Sequence, residues 1–367
     1  MKILVIGKST RGIVCSARRA GYTVYALDNF CDVDMKECAD RARLLGNASE
    51  KRIYELARSF GKFDGVILNP GFEKLNFKNI MGNRLEVAEG INDKLKIAKK
   101  LSAMGIPHPE TEPLDKASGL KFPLMIKPGC GSGGMRNIAV KNEEELAGFQ
   151  ARSDASEFIA QEFMEGVPCS ASIIGTGDDA CVIAMNEQLI GIPRLTRLPF
   201  AYCGNVTPFI TQFKNEMMEY SEQIALEFGL LGSNGVDFIQ TEKGIVVIEV
   251  NPRFQGSLDT IELSLGINIF DAHVRSFSGE LPKPGMHKRF AAKNILYSCK
   301  STRVNERLFK RLVMCMKMER AADIPEKGWT VREDEPLTTL LETGRTREMV
   351  IEKIERSARY IRRITEV

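Results

Sequence analysis

The chain has 367 residues, of which 43% are hydrophobic and 27% charged, enough for two or three globular domains with a sizeable core. Lys and Arg together exceed Asp and Glu by 51 to 48, a surplus too small to argue for a nucleic-acid partner. No segment approaches the length of a membrane span, and the apolar run Met1–Gly7 is too short for a signal peptide. Nine cysteines occur without a Cys-x-x-Cys pair and three histidines (His108, His273, His287) are far apart, so the pattern predicts free thiols in a reducing cytosol and no zinc site.

In chain order, Lys2–Ile6 reads as a buried strand, residues 12–20 as a helix stopped by Gly21, and Thr23–Leu27 as a second strand ending at Asp28. This βαβ opening is a doubly wound signature. A dinucleotide fingerprint would need Gly-x-Gly-x-x-Gly, and Gly7-Lys-Ser9-Thr-Arg-Gly12 lacks its second glycine, which disfavours NAD. A helix over 50–60 and a strand over 64–68 closed by Asn69-Pro-Gly follow. The next helix, capped by Asn92, runs to about Met104 with Ile97, Ala98, Leu101 and Met104 on its apolar face. Lys94 falls in its first turn, where a cation opposes the helix dipole; an anionic ligand explains it better than helix design, the alternative being one solvated lysine among Lys96, Lys99 and Lys100.

Residues 122–140 read as strand, glycine-rich loop, strand. Gly129, Gly131, Gly133 and Gly134 let backbone N–H groups approach anionic oxygens, and Lys127 can add a point charge. It is not a Walker A loop, because no Gly-Lys-Ser/Thr closes it. A capping box at 142–145 opens a short helix, strands are expected over 158–163, 170–174 and 181–185, and a helix over 215–228.

Two β-branched apolar segments then flank Glu242-Lys243-Gly244, which suits a three-residue hairpin loop. If Thr241 pairs with Ile245, Asp237 falls opposite Glu249 and Asn251 lies diagonally on the same face. Two acids side by side in a greasy hairpin call for a cation, and oxygen-only ligands favour magnesium; a solvated charged face is the alternative. A helix over 258–265 stopped by Gly266 follows. Beyond 281 the pattern changes: a strand over 294–297, a basic amphipathic stretch over 303–320 without an aromatic stacking platform, a hairpin over 331–341 and a final helix over 346–364.

Together, Glu249-Val-Asn251-Pro-Arg253 with Asp237 upstream, and Lys127 with the glycine loop, resemble the ATP-grasp ligases, whose relatives include biotin carboxylase, D-alanine–D-alanine ligase and carbamoyl phosphate synthetase. The resemblance implies an α/β fold, α+β in the grasp domain: a Rossmann-like pre-ATP-grasp domain over 1–90, a two-part ATP-grasp domain over 91–280 with a glycine-rich lid at about 115–185, and a small C-terminal subdomain over 281–367. It implies that Asp237, Glu249 and Asn251 hold magnesium (manganese being the stand-in), and that Arg253 faces the reacting phosphate or acyl phosphate. Lys94, Lys127, Gly131, Ser132, Gly133 and Gly134 would then bind the phosphates of ATP, and Gln161, Glu162, Phe163 and Met164 the adenine. One departure is Pro168, where many members place a ribose-binding Glu.

The implied chemistry is ADP-forming activation of a carboxylate as an acyl phosphate, then attack by an amine, on an amino acid or cofactor precursor. Bicarbonate activation and a catalytically silent nucleotide-binding regulator are the alternatives. Arg194, Arg197, Asn205 and Arg11 are candidate substrate contacts, the arginines being suited to a carboxylate. The expected partners are small-molecule carboxylate and amine substrates, with no nucleic acid and no membrane; the expected location is the cytoplasm, and assembly as a homodimer stays open.

Overall fold

The computed structural model of the chain describes residues 1–129, 134, 136–283 and 285–365. The N-terminal unit alternates strand and helix: β1 (Lys2–Gly7), α1 (Arg11–Arg19), β2 (Thr23–Asp28), α2 (Val33–Cys38), β3 (Arg41–Leu44), α3 (Glu50–Arg58) and β4 (Gly65–Leu68). Its strands form a parallel sheet in the order β3-β2-β1-β4. Ile3 to Ile6 are fully buried because β1 is central and covered on both faces, which is why it reads as an unbroken apolar run. Cys15 of α1 and Cys38 of α2 form a disulfide, which corrects the expectation of free thiols throughout. The pairing was invisible in sequence because only the fold of α1 against α2 brings positions 23 residues apart together.

Two helices lead out of this unit, α4 (Leu85–Asn92) and α5 (Lys94–Ala103). The cap of α5 is Asp93 rather than Asn92: Asp93 accepts hydrogen bonds from the N–H groups of Leu95 (3.2 Å) and Lys96 (3.1 Å), whereas Asn92 ends α4. Lys94 is thus the first residue of α5, and the apolar side of that helix, Ile97 and Leu101, packs on the hairpin residues Ile245 and Val247.

A small antiparallel sheet follows, made of β5 (Thr111–Pro113), β6 (Leu124–Pro128), β7 (Ile138–Val140) and β8 (Phe158–Glu162), with α6 (Glu143–Gln150) on one side. Leu114, Leu124, Ile126, Leu146 and Phe158 give it a core of its own. It is joined to the rest at Gly166, where φ is 156° and a Cβ would fall 2.2 Å from the carbonyl oxygen of Gln240, so only glycine fits.

The main body is an eight-stranded antiparallel sheet. It takes in β9 (Val167–Thr176), β10 (Ala180–Ile190) and β11 (Tyr202–Thr207), then, after α7 (Lys214–Glu227), β12 (Leu231–Thr241) and β13 (Gly244–Asn251). After α8 (Leu258–Leu265) and α9 (Ile269–Ser276), the C-terminal residues extend the same sheet with β14 (Phe290–Tyr297). The remaining elements are β15 (Thr302–Arg303), α10 (Glu306–Lys317), β16 (Ala321–Ala322), β17 (Thr330–Val331), β18 (Pro336–Gly344) and α11 (Arg347–Thr365). The sheet order is β13-β12-β9-β10-β11-β14-β18-β16. The expected 331–341 hairpin does not form: β17 pairs with β15, while β18 pairs with β14 and β16. Val350, Ile354, Ala358 and Ile361 are buried at helical spacing and fix α11 on this end of the sheet. Among the described residues no helix is long and apolar enough to cross a membrane.

Candidate active site

The hairpin of β12 and β13 turns more tightly than its composition suggests. Thr241 pairs with Gly244, leaving a two-residue loop instead of three, so the register starts one residue out of step with the expected one. A bulge then inserts Ile248: Phe238 pairs with Val247, yet Asp237 pairs with Glu249 and Gly235 with Asn251. The two departures cancel, and both carboxylates and the amide share a face after all. Without the bulge, Glu249 would point to the opposite side of the sheet.

Asp237 is part-buried and held by two amides, the side chain of Gln188 on β10 (2.9 Å) and that of Asn251 (2.9 Å). Burial, and next the negative charge of Glu249, push its carboxyl up to about 7. Glu249 faces Lys94 across 3.7 Å. Lys127, buried at the end of β6, donates to the side-chain oxygen of Gln161 on β8 (2.6 Å), and Gln161 in turn donates to Thr111 (2.9 Å). Desolvation pulls the Lys127 ammonium down to about 8, partly offset by Glu249. Arg253 follows the hairpin and is steadied by Glu73 of the N-terminal unit at 3.6 Å. At the hairpin end of the cleft three cationic side chains therefore meet the two carboxylates Asp237 and Glu249, a charge pattern suited to a polyanion that brings its own cation.

The cleft is a cavity of about 680 Å³ between the small sheet and the main one. Its apolar wall includes Met125, Phe163, Ile190, Phe200, Phe238 and the bulged Ile248, and residues 161–166 form one edge. This size and lining suit a planar base with a phosphate tail. Gln161, Glu162, Phe163, Met164, Gly134, Lys127, Asp237, Glu249, Asn251 and Arg253 all line it, as does Pro168. Lys94 reaches it through Glu249. Gly131, Ser132 and Gly133 lie outside the described residues. Gln188, Ile248 and Glu73 were missed by sequence reasoning; each lies on a different element from the residue it supports or arises from the bulge, so no local pattern marked them.

The four candidate substrate contacts are placed differently. Arg194 pairs with Glu355 of α11 at 2.5 Å and Arg197 with Glu333 and Asp334, and neither lines the cavity. They are exposed arginines that tie the loop before β11 to the C-terminal region, where acids happen to be in reach. Asn205 is fully buried and serves a hydrogen-bond network with Tyr202, Thr207 and Thr260 beneath the sheet. Arg11 heads α1 instead of lying in a free loop, and its guanidinium is bound to Asp259 (2.5 and 2.9 Å) and Asp323 (2.9 and 3.2 Å).

Comparison with known proteins agrees with this geometry. Residues 91–257 match the family model of an ATP-grasp domain. An uncharacterized protein of Methanocaldococcus jannaschii is 27% identical over 99% of this chain and 94% of its own length. The carbamoyl phosphate synthase large chain of Clostridium beijerinckii is 27% identical over 57% of this chain, which spans only 21% of that protein. The 3-methyl-D-ornithine–L-lysine ligase of Methanosarcina acetivorans is 28% identical over 50% of this chain and 46% of its own. Among solved structures, the biotin carboxylase domain of the Hydrogenobacter thermophilus 2-oxoglutarate carboxylase, in complex with MgADP and bicarbonate, superposes with a TM-score of 0.72 at 16% identity, over 97% of this chain and 89% of that one. The hairpin that carries both acids, the lysines facing it across a nucleotide-sized cleft, and these likenesses identify residues 91–257 as an ATP-grasp domain.

Proposed function

We propose that the chain is an ADP-forming ligase that activates a carboxylate as an acyl phosphate and joins it to an amine. The observation that carries this reading is Asp237 opposite Glu249, both part-buried in the wall of a nucleotide-sized cavity. A carboxylate raised to about 7 by burial and a like-charged neighbour is in need of a cation. The donor set fits magnesium: hard oxygens of Asp237 and Glu249 and the amide of Asn251, with neither His nor Cys. When bound, the ion would supply charge neutralisation across the terminal phosphates of ATP.

Each residue then has a physical task. Lys127, buried but still a cation at neutral pH, and Lys94 at the N-terminus of α5 bind phosphate oxygens. Gln161 orients Lys127 and Thr111 orients Gln161. Arg253, fixed by Glu73, faces the transferring group and stabilises the acyl phosphate. The small sheet over the cleft excludes water, which would otherwise hydrolyse the activated acid. No side chain is required as a covalent nucleophile; phosphoryl transfer depends on positioning and charge. The activity for which the 3-methyl-D-ornithine–L-lysine ligase is named supports the amide-forming branch of this chemistry.

The test is a phosphate-release screen with ATP and magnesium across amino acids, amines and bicarbonate. Release of ADP that depends on a carboxylate and an amine together supports the reading. Release of AMP, or ADP release that needs bicarbonate alone, overturns it.

A further inference from the structure

A second cavity, of about 280 Å³, lies where the N-terminal unit, the main sheet and the C-terminal residues meet, and it shares Tyr202, Arg253, Gln255 and Gly256 with the first. Its polar end is crowded with acids. Asp259 is satisfied by Arg11 at 2.5 and 2.9 Å and by Lys293 at 2.9 Å. Asp323 receives Arg11 at 2.9 and 3.2 Å. Asp34 accepts the backbone N–H groups of Asp323 (2.8 Å) and Ile324 (3.0 Å) and lies 3.6 Å from Arg11. Asp28, on the same side, takes four hydrogen bonds from Thr10, Phe30 and Cys31.

Asp32 has nothing comparable. It lines the cavity and is only 6% exposed, yet its carboxylate makes no hydrogen bond or ion pair among the described residues, not even with the helix it precedes. The cavity is lined by Asp32, Asp259, Asp323 and Glu335 against Arg11, Lys293 and Arg253, four acids to three cations, and Arg253 is already paired with Glu73. The Asp32 carboxylate therefore opens only onto this cavity, and among acids that are otherwise paired it is the one left to take a cationic group of a ligand. A metal ion is a poor candidate, because the oxygens of Asp34, Asp259 and Asp323 are taken by Arg11, Lys293 and backbone N–H groups, which leaves Asp32 as a single ligand. Phe30 and Trp329 line the same cavity and offer aromatic faces, which attract an ammonium group and cover an alkyl chain.

We infer that this cavity binds a substrate through a primary ammonium group seated on Asp32, with the carbon chain against Phe30 and Trp329 and the reacting end toward Arg253. The ligand class is a diamine or a basic amino acid. Its part in the reaction rests on the ligase reading above, but its binding does not. Burial and the nearby acids also raise the Asp32 carboxyl in the empty cavity, which a bound cation would reverse.

Trp329 is the chain's single tryptophan, so its emission reports on this cavity. The full chain without nucleotide is titrated with 1,5-diaminopentane and L-lysine, with glutarate and pentan-1-ol as carboxylate and neutral controls, and calorimetry is run alongside. The expected result is a saturable change with at least one ammonium probe, with both controls about tenfold weaker or more. Asp32→Asn then weakens that probe by about tenfold or more while MgADP affinity is unchanged. Equal binding of a control, wild-type affinity in Asp32→Asn, or no saturable binding by either method overturns the inference. So does saturable binding of magnesium chloride alone that Asp32→Asn abolishes. Should Asp32→Asn fail to fold by circular dichroism, Glu335→Gln on the same cavity wall replaces it, with a several-fold loss expected and unchanged affinity overturning the inference. Loss of MgADP binding in the wild type would instead strike at the ligase reading and leave the ammonium site standing.

Discussion

The two cavities touch at Arg253 but are assembled in opposite ways. The larger takes its chemistry from short-range geometry: Asp237, Glu249, Asn251 and Arg253 belong to one hairpin and its exit, and Lys127 and Gln161 to adjacent strands of one small sheet. The smaller is gathered from segments as far apart as Arg11 and Asp323, which are 312 positions apart. A hairpin can present a reacting constellation on its own, so its residues can be read from spacing. A junction of three units exists only when all three are folded and docked, and it suits the part of an enzyme that differs from one substrate to the next.

The comparison predicts different consequences for damage on each side. Glu249→Gln or Lys127→Ala is expected to lower ADP production by about a thousandfold or more with circular dichroism unchanged, since removing one preorganised charge from a phosphoryl-transfer site costs on that scale. Turnover near wild type in either variant would remove the hairpin from the chemistry.

Arg11→Ala should act through stability. It leaves Asp259 and Asp323 buried beside one another with only Lys293 to compensate, a loss of about 3–5 kcal/mol measured as a shift in denaturant midpoint. An unchanged midpoint would mean that the junction is not a structural clamp.

Within the larger cavity, pH should separate the two charges. Asp237 must be ionised to take a cation, so the magnesium affinity of the nucleotide-free chain climbs as pH rises toward about 7. Lys127 must be protonated to serve phosphate, so the affinity of the empty chain for ADP falls as pH rises through about 8, each limb approaching tenfold per pH unit. The stability of the empty chain runs by its own signs. Asp237, raised from 3.8, contributes stability that is lost as pH rises toward about 7, and Lys127, lowered from 10.5, lets stability recover above about 8. Magnesium and ADP affinities that both stay flat between about pH 6 and 9, measured separately by calorimetry, would contradict both assignments.

Arg194→Ala is expected to do least. Its exposed pairing with Glu355 is worth about 0–1 kcal/mol, and KM for every substrate should be unchanged. A raised KM would return Arg194 to the substrate site and redraw the boundary between the two cavities.

Some of this was legible early because local patterns carry it. The βαβ opening, the helix over 258–265 ending at Gly266 in the left-handed region, and the opposition of Asp237 to Glu249 all appear as expected. The last was reached by a different path: the loop is one residue shorter, and Ile248 restores the face. Other features depended on docking. Asp93 replaced Asn92 as the cap because α4 claims Asn92, Cys15 met Cys38 because α1 packs on α2, and β18 joined β14 where a local hairpin had been expected. Gln188 and Asp32 carry no motif at all, and what they do follows only from what surrounds them.

By itself the order of residues determined which side chains could share a strand face and which glycines the turns require, because backbone period and steric limits act over a few positions. Tertiary packing alone decided that Arg11 would spend its charge on Asp259 and Asp323, that Asp32 would be left buried without a counter-charge, and that Arg194 and Asn205 would lie away from the reacting groups. The reason is that charge compensation in a low-dielectric interior is settled between elements, and sequence separation says nothing of which acid a buried cation will meet.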